Sequence, residues 1–457
     1  MPRCLLAYVC VVTVWWSAAT VGTAASYVWL EGEKPGEAQG EPNLSGWGNA
    51  DFLSQGAWLS YSIPDKEIEA KVPESGLVIR YPFEIDQAGN YEVWLRIGFE
   101  FVRSDFEWRI DGGEPHTVTP DDLTTDLMEI ATWCEVAWLH AGKVDLSPGK
   151  HVLEIRLPRR KDDKGKWKRI LFAFDAACLS RAPFHPNGKY RPDEDWRTDR
   201  DRAAAEHVFR LPTPKAAAER VELPLAGDWE ICRDDEQYPK DVDKPIPRLP
   251  QTTYFTAIRV PGDKNTLRPD LVFAHRLWYR TRVEIPAEYA GRSFFLVFPQ
   301  NNLNTTVYVN GRLCGFDKNP FARVQIDITP AVKSGINEVW VGIRDAWYAY
   351  STNPNDPMKL RRGFNRPIKF FSEGFQDLAY PIWNHPQSGI LVTPKLVAAG
   401  PVYAEDVFCK PSVSKKSLGL EVTLKNPANS PVSGKLLCEV VDDDGSVAKR
   451  FAPIDFA

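Results

Sequence analysis

Apolar and polar residues alternate with period two along Leu277 to Asp345, the clearest pattern in the chain. Val307 and Val309 alternate with Tyr308 and Asn310, and Val339, Val341 and Ile343 with Trp340, Gly342 and Arg344. Successive side chains of a strand point to opposite faces, so this period predicts strands with one buried face. Asn310-Gly311 falls between two such runs and predicts a tight hairpin, because Asn and Gly tolerate the positive φ that the turn requires.

The same rhythm fills the chain from Tyr27 to about Ala182. YVWLEGE and LVIRYPFEI are followed by the turn Gln87-Ala88-Gly89-Asn90 and YEVWLRIGF, then by DFEWRIDGG, CEVAWLHAGKVDLSPGKHVLEIRLP and RILFAFDAACL. Strand after strand with Gly, Pro or Asp turns and no helical period predicts a sandwich or jelly roll. Phe184 to Pro224 is rich in proline and charge and reads as a linker. One short helix is expected there at Arg200 to Phe209, where Ala203, Ala204 and Ala205 favour it and Asp199 or Asp201 is placed to cap it. From Pro401 onward about four strands are expected, with turns at Asn426-Pro427 and Asp444-Gly445. The rhythm breaks between Asp345 and Gly389, where Trp347, Tyr348, Tyr350, Phe370, Phe371 and Trp383 sit in a loop-like stretch. A long aromatic loop inside a compact domain is functional or an interface.

At 457 residues the chain is long for one domain and comfortable for three. Its beginning reads as an export signal: Arg3 supplies the positive start, Leu5 to Trp16 the apolar core and Thr23-Ala24-Ala25 a small-residue cleavage site. That core is short for a membrane span, so no membrane association is expected after cleavage. The 16 Trp, 15 Tyr and 23 Phe suit sheets and also suit sugar binding, where flat rings stack on pyranose faces. A net charge of −5 without a clustered basic face argues against nucleic acid. The mixed run Arg159 to Lys164 is expected to be a solvated loop between strands. Six cysteines remain beyond the signal: Cys134, Cys178, Cys232, Cys314, Cys409 and Cys438. Export permits bridges within each pair, but buried free thiols acting as small apolar groups are favoured.

The order LWYRTRVEIP, NNLNTTVYVNGRLCGF and FARVQIDITPAVKSGINEVWVGIRD, preceded by Leu225-Ala226-Gly227-Asp228-Trp229 and the VPGD segment at 260–263, resembles the sugar-binding jelly roll of glycoside hydrolase family 2. That family includes β-galactosidases, β-glucuronidases and β-mannosidases, and the resemblance runs from about Leu223 to Leu396. QSGILVTPKL resembles the closing strand of that domain but lacks the Arg-Asp pair usual after the Ile. Residues 26–183 resemble calcium-containing carbohydrate-binding modules, and residues 401–457 the start of the immunoglobulin-like sandwich that follows the jelly roll. The expected fold is therefore all-β: a signal at 1–25, a first jelly roll at 26–183, a linker at 184–222, a second jelly roll at 223–400 and a partial sandwich at 401–457.

Family 2 enzymes are retaining glycosidases, which need two carboxylates about 5–5.5 Å apart. In the family both lie on a barrel of roughly 250 residues, for which this sequence shows no strand–helix alternation. No catalytic residue is assigned, and neither Glu373 nor Glu405 is nominated. The resemblance implies a non-catalytic front of a secreted enzyme that hydrolyses O-glycosidic bonds, ending partway through its third domain. The alternative is a stand-alone carbohydrate-binding or adhesion protein. By the same resemblance Asp345 and Asn301 are candidates to reach the sugar site. Trp47 and Trp58, with Trp133 and Trp138, are candidates to stack on a glycan. Glu31, Glu33 and Asp175 are candidates to hold a structural Ca2+. The expected partner is an oligo- or polysaccharide. The sequons Asn43-Leu44-Ser45 and Asn304-Thr305-Thr306 mark acceptors for a host that glycosylates.

Overall fold

The computed structural model describes residues 27–457 apart from 101, 123, 132–133, 216–219, 235–243, 251–253, 273, 275, 319–321, 346–386 and 428–430. Strands dominate, joined into several antiparallel sheets, and the fold is all-β with sandwich domains. The signal segment, Trp133, Glu373 and the aromatic stretch after Asp345 lie outside the described residues. Among the described residues no helix is long and apolar enough to cross a membrane.

The first module sets a six-stranded sheet against a five-stranded one. The first runs Tyr27–Glu31, Ile170–Ser180, Gly89–Gly98, Cys134–Leu146, Thr124–Ala131, with Leu59–Ile63 also paired to Ile170–Ser180. The second runs Glu37–Ala38, Leu77–Ile85, Gly149–Leu157, Phe106–Ile110, His116–Val118. Leu77–Ile85 and Gly89–Gly98 are consecutive yet lie in opposite sheets, so the turn between them is a corner that crosses the core. Alternate residues of both sheets then meet inside. Ile79, Leu95, Phe106, Leu153, Ile155 and Phe172 are all fully buried there, each contributing about 1.5–3 kcal/mol of hydrophobic stabilisation.

The second module repeats the plan. Thr256–Val260, Gly227–Arg233, Arg276–Ile285, Gly335–Arg344, Asn304–Val309 and Arg312–Asp317 form the larger sheet, and Val208–Arg210 adds in parallel along Arg276–Ile285. Val221–Pro224, Lys395–Ala399, Ser293–Phe298 and Val324–Asp327 form the smaller. The predicted hairpin is present: Val309 pairs with Arg312, and Asn310 and Gly311 both take positive φ, 50° and 78°. The alternation, however, does not leave a wet face. Every residue of Asn304–Val309 is buried, because Ile246 and Phe255 close over Trp278, Tyr308 and Trp340 on the second face. Tyr and Trp present a large apolar body with one polar handle, and Tyr308 satisfies its handle by donating to the Ile246 carbonyl at 2.9 Å.

The stretch expected to be a linker is instead a strap fixed to both modules. Phe184 packs with Trp138, Ala176 and Cys178 of the first module. Phe209, Leu211 and Val221 enter the core of the second. The helix spans Asp199–Glu206, shorter than the sequence suggests, and its cap is Thr198 rather than an aspartate. Thr198 Oγ1 accepts from the Asp201 N–H while the Asp201 carboxylate accepts from the Thr198 N–H, a reciprocal capping box.

From residue 401 on, the described residues form paired strands, beginning with Tyr403–Ser412 against Ser417–Lys425, and none of them is buried. Tyr403 seats a ring on the second module, edge-on to Phe295 at 5.2 Å. All six cysteines beyond the signal are free. Cys134, Cys178 and Cys232 are buried as small apolar groups, whereas Cys409 is exposed. The Arg159 to Lys164 loop is solvated as expected, with Arg159 and Lys161 over the Trp167 ring.

Candidate functional site

One end of the second sandwich gathers a buried polar cluster. Its floor is a two-stranded ladder in which Asn301 faces Ile390 and Asn302 faces Gly389. Against it sits Val260-Pro261-Gly262-Asp263, the segment singled out in the sequence. Gly262 N donates to Ile390 O at 2.9 Å and Lys264 N to Ser388 O at 2.8 Å. The Asp263 carboxylate caps the short helix Lys264–Leu267 through Asn265 N and also accepts from Ser388 N, both at 3.1 Å. Two sequence motifs more than a hundred residues apart are thereby stitched into one corner.

Asp345 and Asn301, the two candidates for the sugar site, are brought to this corner and both are 1% exposed. The register explains the meeting. Asn304 pairs with Arg344, so Asp345 lies one step beyond the ladder, beside the Asn301–Leu303 segment. Asn301 donates to Thr305 Oγ1 at 3.0 Å and Asn302 to Gln387 O at 2.5 Å. Among the described residues, Asn301 Oδ1, Asn302 Oδ1 and Ser388 Oγ are buried here without a hydrogen-bond partner. Buried polar atoms are normally paired, so this corner offers acceptors suited to hydroxyl donors.

Two residues here were invisible in the sequence. Lys264 is fully buried and donates from Nζ to the carbonyls of Leu271, Val272 and Ala274 at 2.7, 3.3 and 3.0 Å. Burial pushes its ammonium down to about 8, against the pull of Asp345 and Asp263. Tyr279 is buried under Gly389, and burial pushes its phenol well above the ordinary value. A Cβ on Gly389 would stand 2.3 Å from the Tyr279 hydroxyl, and φ there is +114°, so only glycine fits.

In the first module the three proposed ion ligands do not form a cage. The Asp175 carboxylate is fully buried against Arg96 Nη1 at 2.6 Å and accepts from Ser54 N at 3.0 Å. Burial pushes this carboxyl up to about 6, against the opposing effect of Arg96. Glu31 accepts from Ser54 Oγ at 2.6 Å and from Arg191 at 2.8 Å. Glu33 lies 3.4 Å from Lys34. Among the described residues no three His, Cys, Asp or Glu groups are arranged to hold a metal ion. Ser54, Arg96 and Arg191 are the groups that meet Asp175 and Glu31 here.

Trp58 is also corrected. It is 1% exposed and packs on Phe99 at 5.4 Å, a core ring with no face for a sugar. Trp138 is equally buried, its Nε1 donating to Gly188 O at 2.8 Å. Trp47 is 53% exposed and keeps an accessible ring. Of the two sequons, Asn43 is exposed and Asn304 is buried, so only the first is an accessible acceptor.

Residues 261–365 match the family model described as glycosyl hydrolase 2 galactose-binding domain-like. No curated protein matches the chain. Similar solved structures include a β-glucuronidase from an uncultured Clostridium species, with 17% identity over 54% of this chain and 41% of that one, at a TM-score of 0.36. The Faecalibacterium prausnitzii β-glucuronidase shares 22% identity over 53% of this chain and 41% of its own, at 0.35. A Bacteroides uniformis β-glucuronidase shares 17% over 52% and 26%, at 0.37. The chain spans less than half the length of these proteins.

Proposed function

We propose that this chain is the non-catalytic front of an exported glycoside hydrolase of the family 2 type, which cleaves O-glycosidic bonds in β-linked glycans. The observation that carries the reading is the family-model match on residues 261–365. It covers Asp263, Lys264, Asn301 and Asp345, the residues that build the buried polar corner. In this reading the corner forms one wall of a sugar site. Asn301, Asn302 and Ser388 supply hydrogen-bond acceptors there, Asp345 supplies a carboxylate, and Lys264 holds the surrounding loop in shape. The acid/base and nucleophile of a retaining hydrolysis belong to a barrel, and no described residue of this chain is given either role.

Sequencing the transcript across Ala457 tests the reading. Continuation into strand–helix repeats carrying an Asn-Glu pair is expected, and a stop codon there would favour a binding protein without hydrolysis. The chain as it stands is expected to release nothing from aryl β-glycosides. Turnover that disappears on replacing one of its carboxylates would overturn the non-catalytic assignment. Residues 1–25 are proposed as the cleaved export signal, so the exported product should begin near residue 26 on N-terminal sequencing. Retention of Met1 would count against export.

A further inference from the structure

The strap and the two modules it joins enclose a cleft that none of the assignments above uses. Its volume is ≈ 440 Å³, within the ~300–1,000 Å³ typical of small-ligand sites. Three half-buried rings line it: Tyr190 and Trp196 from the strap and Tyr254 from the second module. Trp196 and Tyr254 meet edge to face, with centroids 5.8 Å apart and planes at 70°. An edge-to-face pair covers a face of only one of its rings, and both rings line the cleft.

The charged groups around the rings balance to within one: Lys189, Arg200, Arg233 and Arg268 stand against Asp51, Asp201 and Asp270. Arg268 donates to Asp270 Oδ1 at 2.8 Å and to the Ala257 carbonyl at 3.2 Å. Arg233 pairs with Asp126 at 3.1 Å and Arg200 with Asp228 at 2.9 Å. Asp51 and Lys189 add one charge of each sign to the lining. A strongly charged ligand would therefore find little net field, yet a carboxylate such as Asp270 retains lone pairs for further donors. One donor is left over: Asn187 Nδ2, in the cleft lining, is buried without an acceptor. Aromatic rings beside donors and acceptors match a pyranose, which has an apolar C–H face and a rim of hydroxyls.

We propose that this cleft is a saccharide-binding site that takes the end of a neutral oligosaccharide between the two modules. The proposal rests on the reading of the chain as carbohydrate-active, but assigns the contact to the strap rather than to the buried corner or to Trp47. It also gives a reason for a segment rich in proline and charge to pack against both modules, since a site shared by two bodies needs them in register.

The test is calorimetric titration of the intact chain with lactose, cellobiose and sodium glucuronate. At least one neutral disaccharide should bind, and Trp196→Ala and Tyr254→Ala should each weaken it roughly tenfold. Asn187→Ala, which keeps all three rings, should weaken it as well, while Trp47→Ala should leave it unchanged. Thermal melts of each variant separate lost binding from lost folding, and a variant that melts like the parent but binds normally counts against the site. Affinity untouched by the strap and Tyr254 substitutions, a preference for glucuronate, or no binding by any of the three sugars would overturn the proposal. The hydrolase reading is judged separately by the transcript and turnover tests, so the cleft can fail while that reading stands.

Discussion

At the scale of single residues, buried charges decide more than surface ones. Lys264 has a folded value of about 8, against about 10.4 in an unfolded chain. Between those values the unfolded chain keeps a proton that the folded chain has shed, so stability gains as pH rises through that window. The shift is worth roughly 3 kcal/mol at most. Melting temperatures of the parent should therefore improve relative to Lys264→Met between about pH 8 and about pH 10; parallel pH profiles would exclude this. Near neutral pH the same variant leaves three carbonyls without their shared donor, and a loss of about 3 kcal/mol in urea unfolding is expected. Arg96 poses the opposite problem. Removing it as Arg96→Met strands the buried Asp175 carboxylate, with an expected cost of about 3–5 kcal/mol. Adding Asp175→Leu should recover much of that loss, because the uncompensated charge goes with it. A double variant no more stable than the single would show that packing, not charge, dominates there.

At the scale of elements, local chemistry was readable where two or three residues suffice. Asn310-Gly311 specified its own hairpin through positive φ, and the side-chain amide of Asn310 then ties the turn to Ala331 O at 2.9 Å and to Asn337 Oδ1 at 2.8 Å. The helix after the first module is visible in its alanines, but its cap and its C-terminal end are not. Thr198 competes with two nearby aspartates as cap, and only the reciprocal bond with Asp201 settles which one serves. Thr198→Ala should cost about 1 kcal/mol, seen as a lower midpoint in urea. Asp201 does more than close that box, since its other oxygen accepts from Ala257 N at 2.6 Å on the second module. The sheet strands of the second module show the limit of periodicity. Trp278, Tyr308 and Trp340 occupy the phase that reads as solvent-facing, yet they are covered. A pattern of two faces reports what each face is made of, not whether another layer lies on it.

At the scale of the whole molecule, contacts between modules carry the design. Arg233 of the second module reaches Asp126 at 3.1 Å and the Leu127 carbonyl at 3.2 Å in the first. The strap adds Arg191 on Glu31 and Arg200 on Asp228. Arg233→Ala removes the most buried of these links and leaves Asp126 without that partner. Faster proteolytic cleavage between residues 184 and 206, with a lowered melting temperature because the buried Asp126 loses a partner, is the expected result, and cleavage at the parental rate would show that the strap holds without it.

By itself the sequence determined the sheet-built architecture and the Asn310-Gly311 hairpin. Each follows from alternation, turn residues or register, which are properties of neighbours along the chain. Only the tertiary structure decided that Asp175 answers an arginine, that Trp58 is core, that Lys264 is buried and that the strap packs on both modules. Those outcomes depend on which groups arrive from distant strands to neutralise, cover or hydrogen-bond a side chain, and burial of that kind is set by packing in three dimensions rather than by spacing in one.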